Sequence, residues 1–333
     1  SLVLILVIGL IFMYAFRLTV NTGLSLRRKL TGLFLLIIQL PISILIFLGI
    51  QYSLSKERLL SIEADQKLTE LVRKVDYSAL DYYRSLTEWL KTFSSLPELQ
   101  QLDREKLHQR FFKYSHDKQL ENFYLVGIDG TIEFDIENLG NEQSNKLFMR
   151  ELGVKILAGY SSHELSENDS PTITEGILDQ VITQRSQLHQ IVWPGSGERK
   201  FIFTDVAQDT KGRPIALIAI LDKTEVDRNY LRQAITNQHK SNPDHELFVI
   251  HTQDIAETVP KLSPTFLANL LPMLSTARTS SNIETDRITG ERDTLLVALG
   301  HGNNIANFLI GARANWAKIV ESIRSMYFLV FIG

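Results

Sequence analysis

Arg199 and Asp205, with Tyr124, Trp193 and Phe203 on or beside strand-like runs, are the residues of this chain best suited to binding chemistry. A guanidinium can pair bidentately with a carboxylate, and a carboxylate can meet an ammonium. Aromatic side chains next to such groups supply the apolar wall of a small-molecule pocket. The five residues are therefore a candidate ligand-binding set for a small carboxylate or amine, with no cofactor and no metal. The plainer alternative makes Tyr124 and Phe203 core and Arg199 a solvated turn residue. Other sets are weaker. His239, His245 and His251 are the densest of the eight histidines, but they straddle a linker and a strand start and lack HExxH spacing. Asp205, Asp209 and Asp222 form a loose acidic set, in which Asp209 reads as a solvated loop carboxylate. Gly195-Ser196-Gly197 is a glycine turn with no helix after it, so a phosphate loop is not expected. No serine occupies a nucleophile elbow. The chain is expected to perform no catalysis.

The composition of the 333 residues narrows the classes further. A net charge of -3 argues against a strongly basic nucleic-acid binder. Zero cysteines exclude a disulfide scaffold, cysteine-ligated metals and a thiol nucleophile. The length suggests two lobes, since one core rarely grows past about 250 residues. Hydrophobicity is concentrated. Leu2 to Phe16 is uncharged and nearly all apolar. Leu30 to Ser55 is a second uncharged stretch, longer than the roughly 20 residues that span a bilayer as a helix. Pro41 inside it is tolerable in a membrane helix. Between the two lie Arg17, Arg27, Arg28 and Lys29 without an acid, which places that loop in the cytoplasm. Residues from Lys56 to about Arg324 then lie on the outer side of the bacterial inner membrane. Ser325 to Gly333 reads as the first turns of a third span, so the chain is expected to be cut from something longer.

The outer region is expected to be α+β, with two PAS-like antiparallel-sheet lobes on a long helix. Gln51 to Leu96 holds neither glycine nor proline, and Leu68, Leu71, Val75, Ala79, Tyr82, Leu86, Trp89 and Phe93 make one apolar stripe. Such a helix reaches on the order of 65 Å. Its near-heptad spacing permits a second helix in a homodimer, and packing on its own lobe explains the stripe as well. A helix over Arg104–His116 follows. Phe123 to Asp135 reads as a hairpin around Asp129-Gly130. Helices are expected at Glu142–Leu157 and Ile173–Gln187, and strands at His189–Trp193, Lys200–Ala207 and Pro214–Leu221. A helix from Asp222 to Thr236 leads into a polar gap. The pattern then restarts. A strand at Glu246–His251 is followed by a helix at Ser263–Ser275, capped by Ser263 with Pro264 in its first turn. A hairpin of Ile283–Ile288 and Thr294–Leu299 and a strand at Phe308–Ala312 close the second lobe. Asn315 then caps a helix that runs toward the third span.

The hairpin Phe123-Tyr124-Leu125-Val126-Gly127-Ile128-Asp129-Gly130-Thr131 and the run from Phe201 through Asp209-Thr210-Lys211-Gly212-Arg213-Pro214 to Leu221 resemble the Cache sensor domains of bacterial receptors. With the long helix and the second lobe, the likeness is to the double-Cache form over roughly Lys56 to Arg324. The resemblance implies an extracytoplasmic small-molecule sensor, usually dimeric, that drives an intracellular output such as a histidine kinase, cyclase or phosphatase. Amino-acid-binding members carry an aromatic-and-arginine motif near the end of the long helix. Here that region is Tyr82-Tyr83-Arg84-Ser85-Leu86-Thr87-Glu88-Trp89, without the family spacing, so amino-acid specificity is not carried over. Ser161-Ser162-His163-Glu164-Leu165 resembles a phosphoacceptor box, but a polar loop replaces the helix that should follow. The expected layout is a membrane helix (1–17), a basic loop (18–29), a membrane helix (30–55) and a signalling helix (56–100). A membrane-distal lobe (101–238), a membrane-proximal lobe (239–314) and an exit helix (315–333) complete it. A membrane-anchored assembly protein that docks a periplasmic partner is the alternative function.

Overall fold

The computed structural model describes residues 26–109, 111, 120–137, 142–161, 181–193, 197–280, 282–291, 293–305 and 307–321, with Met13 and Arg17. The span expected at Leu2–Phe16, apart from Met13, the third span and the phosphoacceptor-like box after Ser161 lie outside the described residues. So does the part of the expected helix at 173–180. The chain divides into two units, residues 1–66 with 316–333, and residues 67–315.

The first unit holds the apolar half of helix α1 (Leu26–Ser94), in which Pro41 lies inside the helix. Leu30, Phe34, Ile37, Leu45 and Leu48 are all exposed there. This is the one helix among the described residues that is long and apolar enough to cross a membrane. The membrane stretch and the signalling helix expected from sequence run as a single helix. No glycine or proline interrupts it after Gly49, so nothing breaks the hydrogen-bond ladder between them.

The second unit opens with the rest of α1. A short helix α2 (Pro97–Gln100) begins at the proline that the chain cannot use inside α1. Residues 104–109 are helical. Strands β1 (Leu120–Val126) and β2 (Ile132–Glu137) form the expected hairpin, with Gly130 at a φ of 76° in the turn. Helix α3 (Glu142–Ser161) follows, then β3 (Leu188–Val192), β4 (Arg199–Gln208) and β5 (Pro214–Asp222). The five strands form an antiparallel sheet in the order β2-β1-β5-β4-β3.

Side chains alternate across a strand, and here both faces are covered. Phe123, Leu125, Phe203, Leu217 and Leu221 pack with Leu86, Leu90 and Phe93 of α1. Tyr124, Val126, Ile202, Ile218 and Ile220 pack with Met149, Leu152 and Ile156 of α3. Double coverage explains why β1 and β5 are buried at successive positions rather than at alternate ones.

Helix α4 (Lys223–Ser241) starts immediately after β5. The Asp222 carboxylate caps it by accepting hydrogen bonds from the amides of Thr224 (2.8 Å) and Glu225 (3.3 Å). The second sheet then follows, with β6 (His245–His251), β7 (Thr258–Val259), helix α5 (Pro264–Thr279), β8 (Glu284–Thr289), β9 (Thr294–His301) and β10 (Phe308–Asn315). Its order β7-β6-β10-β9-β8 repeats that of the first sheet, element for element. Ser263 caps α5 through the Phe266 amide, as expected. Phe266, Leu270 and Leu274 of α5 cover Phe248, Ile250, Val297 and Leu299. β7 was not expected, because two residues are too few to show an alternation. β10 runs on to Asn315, and the helix expected after it begins at residue 316.

Asp209 corrects a sequence expectation. It is no solvated loop group: its side chain is 3% exposed and holds the β4–β5 turn. It accepts from the amides of Lys211 and Arg213 and pairs with the Arg213 guanidinium at 2.7 Å. Burial opposes ionisation, but these hydrogen bonds outweigh it and hold the carboxyl below its usual range.

Candidate functional site

The first sheet separates the five candidate residues. Tyr124 is fully buried on the face under α3, and Trp193 joins the same cluster. Trp193 meets Phe148 of α3 edge to face at 6.0 Å between ring centroids. Phe203 lies on the opposite face, under α1. Asp205 shares the parity of Phe203 along β4; it accepts from the Ser186 hydroxyl at 2.9 Å and from the Val206 amide. Arg199 opens β4 opposite Val192 and is exposed. The structure therefore puts Tyr124 and Trp193 on the same face of the sheet, separated by β5 and β4, and leaves the other three elsewhere.

The polar group beside Trp193 is Lys200, which sequence reasoning passed over. Its parity along β4 matches Ile202, so it points to the α3 face. Its ammonium stands 5.6 Å from the Trp193 ring centre and 2.5 Å from a Glu121 oxygen, with Glu198 at 3.4 Å. The Lys200 and Glu121 side chains are 9% and 8% exposed. The pairing register shifts between Leu120 and Asn122, which frees Glu121 from the regular ladder. Burial works to lower the Lys200 ammonium, but its pairing with Glu121 and Glu198 overrides this and leaves its pKa raised. The second Glu121 oxygen, Oε2, is buried and has no hydrogen-bond partner among the described residues. A buried acceptor without a donor is costly. Here the same carboxylate is paired with a cation that lies over an indole.

Two open clefts lie elsewhere. One of about 490 Å³ runs between Arg104, His108 and β2. The other, of about 390 Å³, lies between α4 and β6 in the second lobe, with His239, Lys240 and Glu246 on its walls. No group of three acidic, histidine or cysteine side chains converges among the described residues.

His245, at the start of β6, carries a pH dependence. Burial lowers its pKa below the usual 6.5, although Asp244 works the other way, and its Nδ1 is buried without a hydrogen-bond partner among the described residues. The unfolded chain therefore binds this proton more tightly than the fold does. Stability from His245 is complete above the unfolded value near 6.5 and is lost as pH falls toward the lower folded value. Melting temperature is expected to drop between pH 7.5 and pH 5.5, and less so in His245→Gln. An equal drop in both would remove His245 as the cause.

Two five-stranded antiparallel sheets of matching strand order thus follow one long helix. No protein-family model matches the chain, and no curated protein matches it. Solved structures do. The ligand-binding domain of the Campylobacter jejuni chemoreceptor Tlp3, in complex with L-norvaline, is 12% identical with a TM-score of 0.37. That match covers 78% of this chain and 94% of that one. The extracellular domain assigned to a histidine kinase, rpHK1S-Z16, is 12% identical with a TM-score of 0.33, over 76% of this chain and 95% of that one. The ligand-binding domain of the Pseudomonas aeruginosa chemoreceptor PctB, in complex with L-Arg, is 12% identical with a TM-score of 0.27, over 78% and 96%. These neighbours are extracellular or ligand-binding domains.

Proposed function

We propose that the chain is the input region of a bacterial transmembrane receptor. Its first lobe binds a small amine or carboxylate on the α3 face of the first sheet. The observation that carries this reading is the buried Glu121–Lys200 pair beside Trp193, with one carboxylate oxygen lacking a donor among the described residues. Trp193 forms the apolar wall, Lys200 takes a carboxylate and Glu121 an ammonium, with Tyr124 further along the same face of the sheet. Arg199, Phe203 and Asp205 act outside that contact set. Arg199 sits at the rim, Asp205 holds the end of β4, and Phe203 keeps the sheet on α1. The chain is anchored in the inner membrane by the apolar half of α1, with 56–324 outside the cytoplasm. Residues 101–238 form the membrane-distal lobe and 239–314 the membrane-proximal one. Two copies act together as a homodimer, although the stripe of Leu68, Val75, Ala79, Leu86 and Phe93 on α1 is buried within the chain. The chain performs no catalysis itself. A ligand shifts it between states through differential affinity alone.

The test is thermal stabilisation of the full chain in detergent by a panel of amino acids, other small carboxylates and small amines. A true ligand at a hundred times its Kd adds about 2.7 kcal/mol. The Glu121→Gln/Lys200→Met double variant avoids stranding one buried charge and is expected to bind about tenfold or more weakly. A panel without effect, or a double variant that binds like the parent, would sink the reading.

A further inference from the structure

A second buried charged cluster joins the two lobes. Lys223 and Asp227, one turn apart at the start of α4, are 1% and 0% exposed. The Lys223 ammonium lies 2.7 Å from Asp227 and donates to the backbone carbonyl of Asn304 at 3.1 Å. It also lies over the rings of Phe201 (5.2 Å) and Tyr83 (5.3 Å). The Tyr83 hydroxyl on α1 donates to Asp227 at 2.5 Å. One turn pair earlier on α1, Asp76 receives the amides of Asn303 (3.1 Å) and Asn304 (3.0 Å) and the Asn304 side-chain amide (3.2 Å). Asn307 adds a hydrogen bond to the Thr224 hydroxyl at 2.8 Å. Three chain segments far apart in sequence thus converge: α1, the β5–α4 corner of the first lobe and the β9–β10 loop of the second.

The placement is mechanical as well as polar. Lys223 is the residue after β5, which pairs with both β1 and β4 at the centre of the first sheet. The 303–307 loop leads directly into β10, which pairs with both β6 and β9 at the centre of the second. Apolar residues of similar volume would fill such a space at no loss of stability. Charges there impose a geometry instead, because each needs all its partners in place.

We propose that Tyr83, Asp76, Lys223, Asp227 and the Asn303–Asn304 backbone form a latch that couples the central strand of one lobe to the central strand of the other. A shift of β5 moves the Lys223–Asp227 pair, and the pair carries the β9–β10 loop and β10 with it. The latch does not depend on which molecule the first lobe binds, so it stands or falls separately from the ligand reading.

Hydrogen exchange of the full chain in detergent, followed by mass spectrometry, tests it. Tyr83→Phe and Asp76→Asn each act from α1 and change no residue of the second sheet. Each is expected to speed amide exchange over 294–315 by about tenfold, while 214–222 stays protected. Combined, they should give less than the product of the single effects, because they open one network. Unchanged exchange over 294–315, or strictly multiplicative effects, would overturn the latch. If a variant also exposes 214–222 to the same degree, it reports global unfolding. Asn307→Ala, which deletes one bond of the junction, then decides between the same two outcomes.

Discussion

Asp227→Ala is expected to destabilise the chain by about 3–5 kcal/mol, measured by denaturant unfolding. The cost is not the worth of an ion pair. It is the cost of leaving the Lys223 ammonium, 2% exposed, without its counter-charge. Burial pushes the Asp227 carboxyl above its usual range, and Lys223 and Tyr83 pull it back in part. The same burial, with Asp227 beside it, raises the Tyr83 phenol. The site is thus dry enough for unpaired charge to be expensive, and matched charge is merely tolerated. A Lys223→Met/Asp227→Leu double variant should therefore recover a large part of the loss. A single variant that costs under about 1 kcal/mol, or a double variant no better than the single, would show that solvent reaches the pair.

The second large effect belongs to the aromatic core between α1 and the first sheet. Phe123 stacks on Phe111 at 4.0 Å between ring centroids and meets Phe93 and Phe134 at 6.2 and 6.4 Å. All four rings are buried, and Phe123 is fully so. Phe123→Ala is expected to cost about 3–5 kcal/mol. The rings come from the long helix, the segment after it and both strands of the first hairpin, so no single neighbour can collapse into the gap. Phe123→Leu, which refills much of the volume, should cost clearly less. Equal losses for Ala and Leu would mean that aromatic stacking, rather than volume, dominates.

The architecture was legible because its signals are local. Asp129-Gly130 between apolar runs marks the first hairpin, and Ser263-Pro264 marks the start of α5. The restart after residue 244 is visible in the spacing of strands alone. The binding set was less legible. Tyr124 and Phe203 both look like strand aromatics, and which face each takes depends on a register set by strands many residues away. Their opposite faces follow only from the pairing of Phe123 and Phe203 with the same residue, Ala219, on opposite sides of β5. Lys200 at a strand start looks solvated until Glu121, 79 residues earlier, is placed beside it. Parity offered one usable signal, since Lys200 alternates in step with Ile202. Lys223 and Asp227 have the spacing of an ordinary surface pair on a helix. They become interior through a loop 81 residues further on, which no local pattern reveals.

The matching strand orders have a consequence for how the chain assembles. In each sheet the strand in the middle is the last of its five to be synthesised. Until β5 emerges, the hairpin of β1 and β2 and the hairpin of β3 and β4 have no hydrogen-bonding edge in common. The same holds for β6 and β9 before β10. Each lobe is therefore closed by a keystone that pairs over a long sequence distance. Such contacts are slow to form, because loop closure must come before any of its reward. During that interval the edges of β1 and β4, and later of β6 and β9, stand open, and these are the surfaces on which a partly made chain is most prone to pair with the wrong strand.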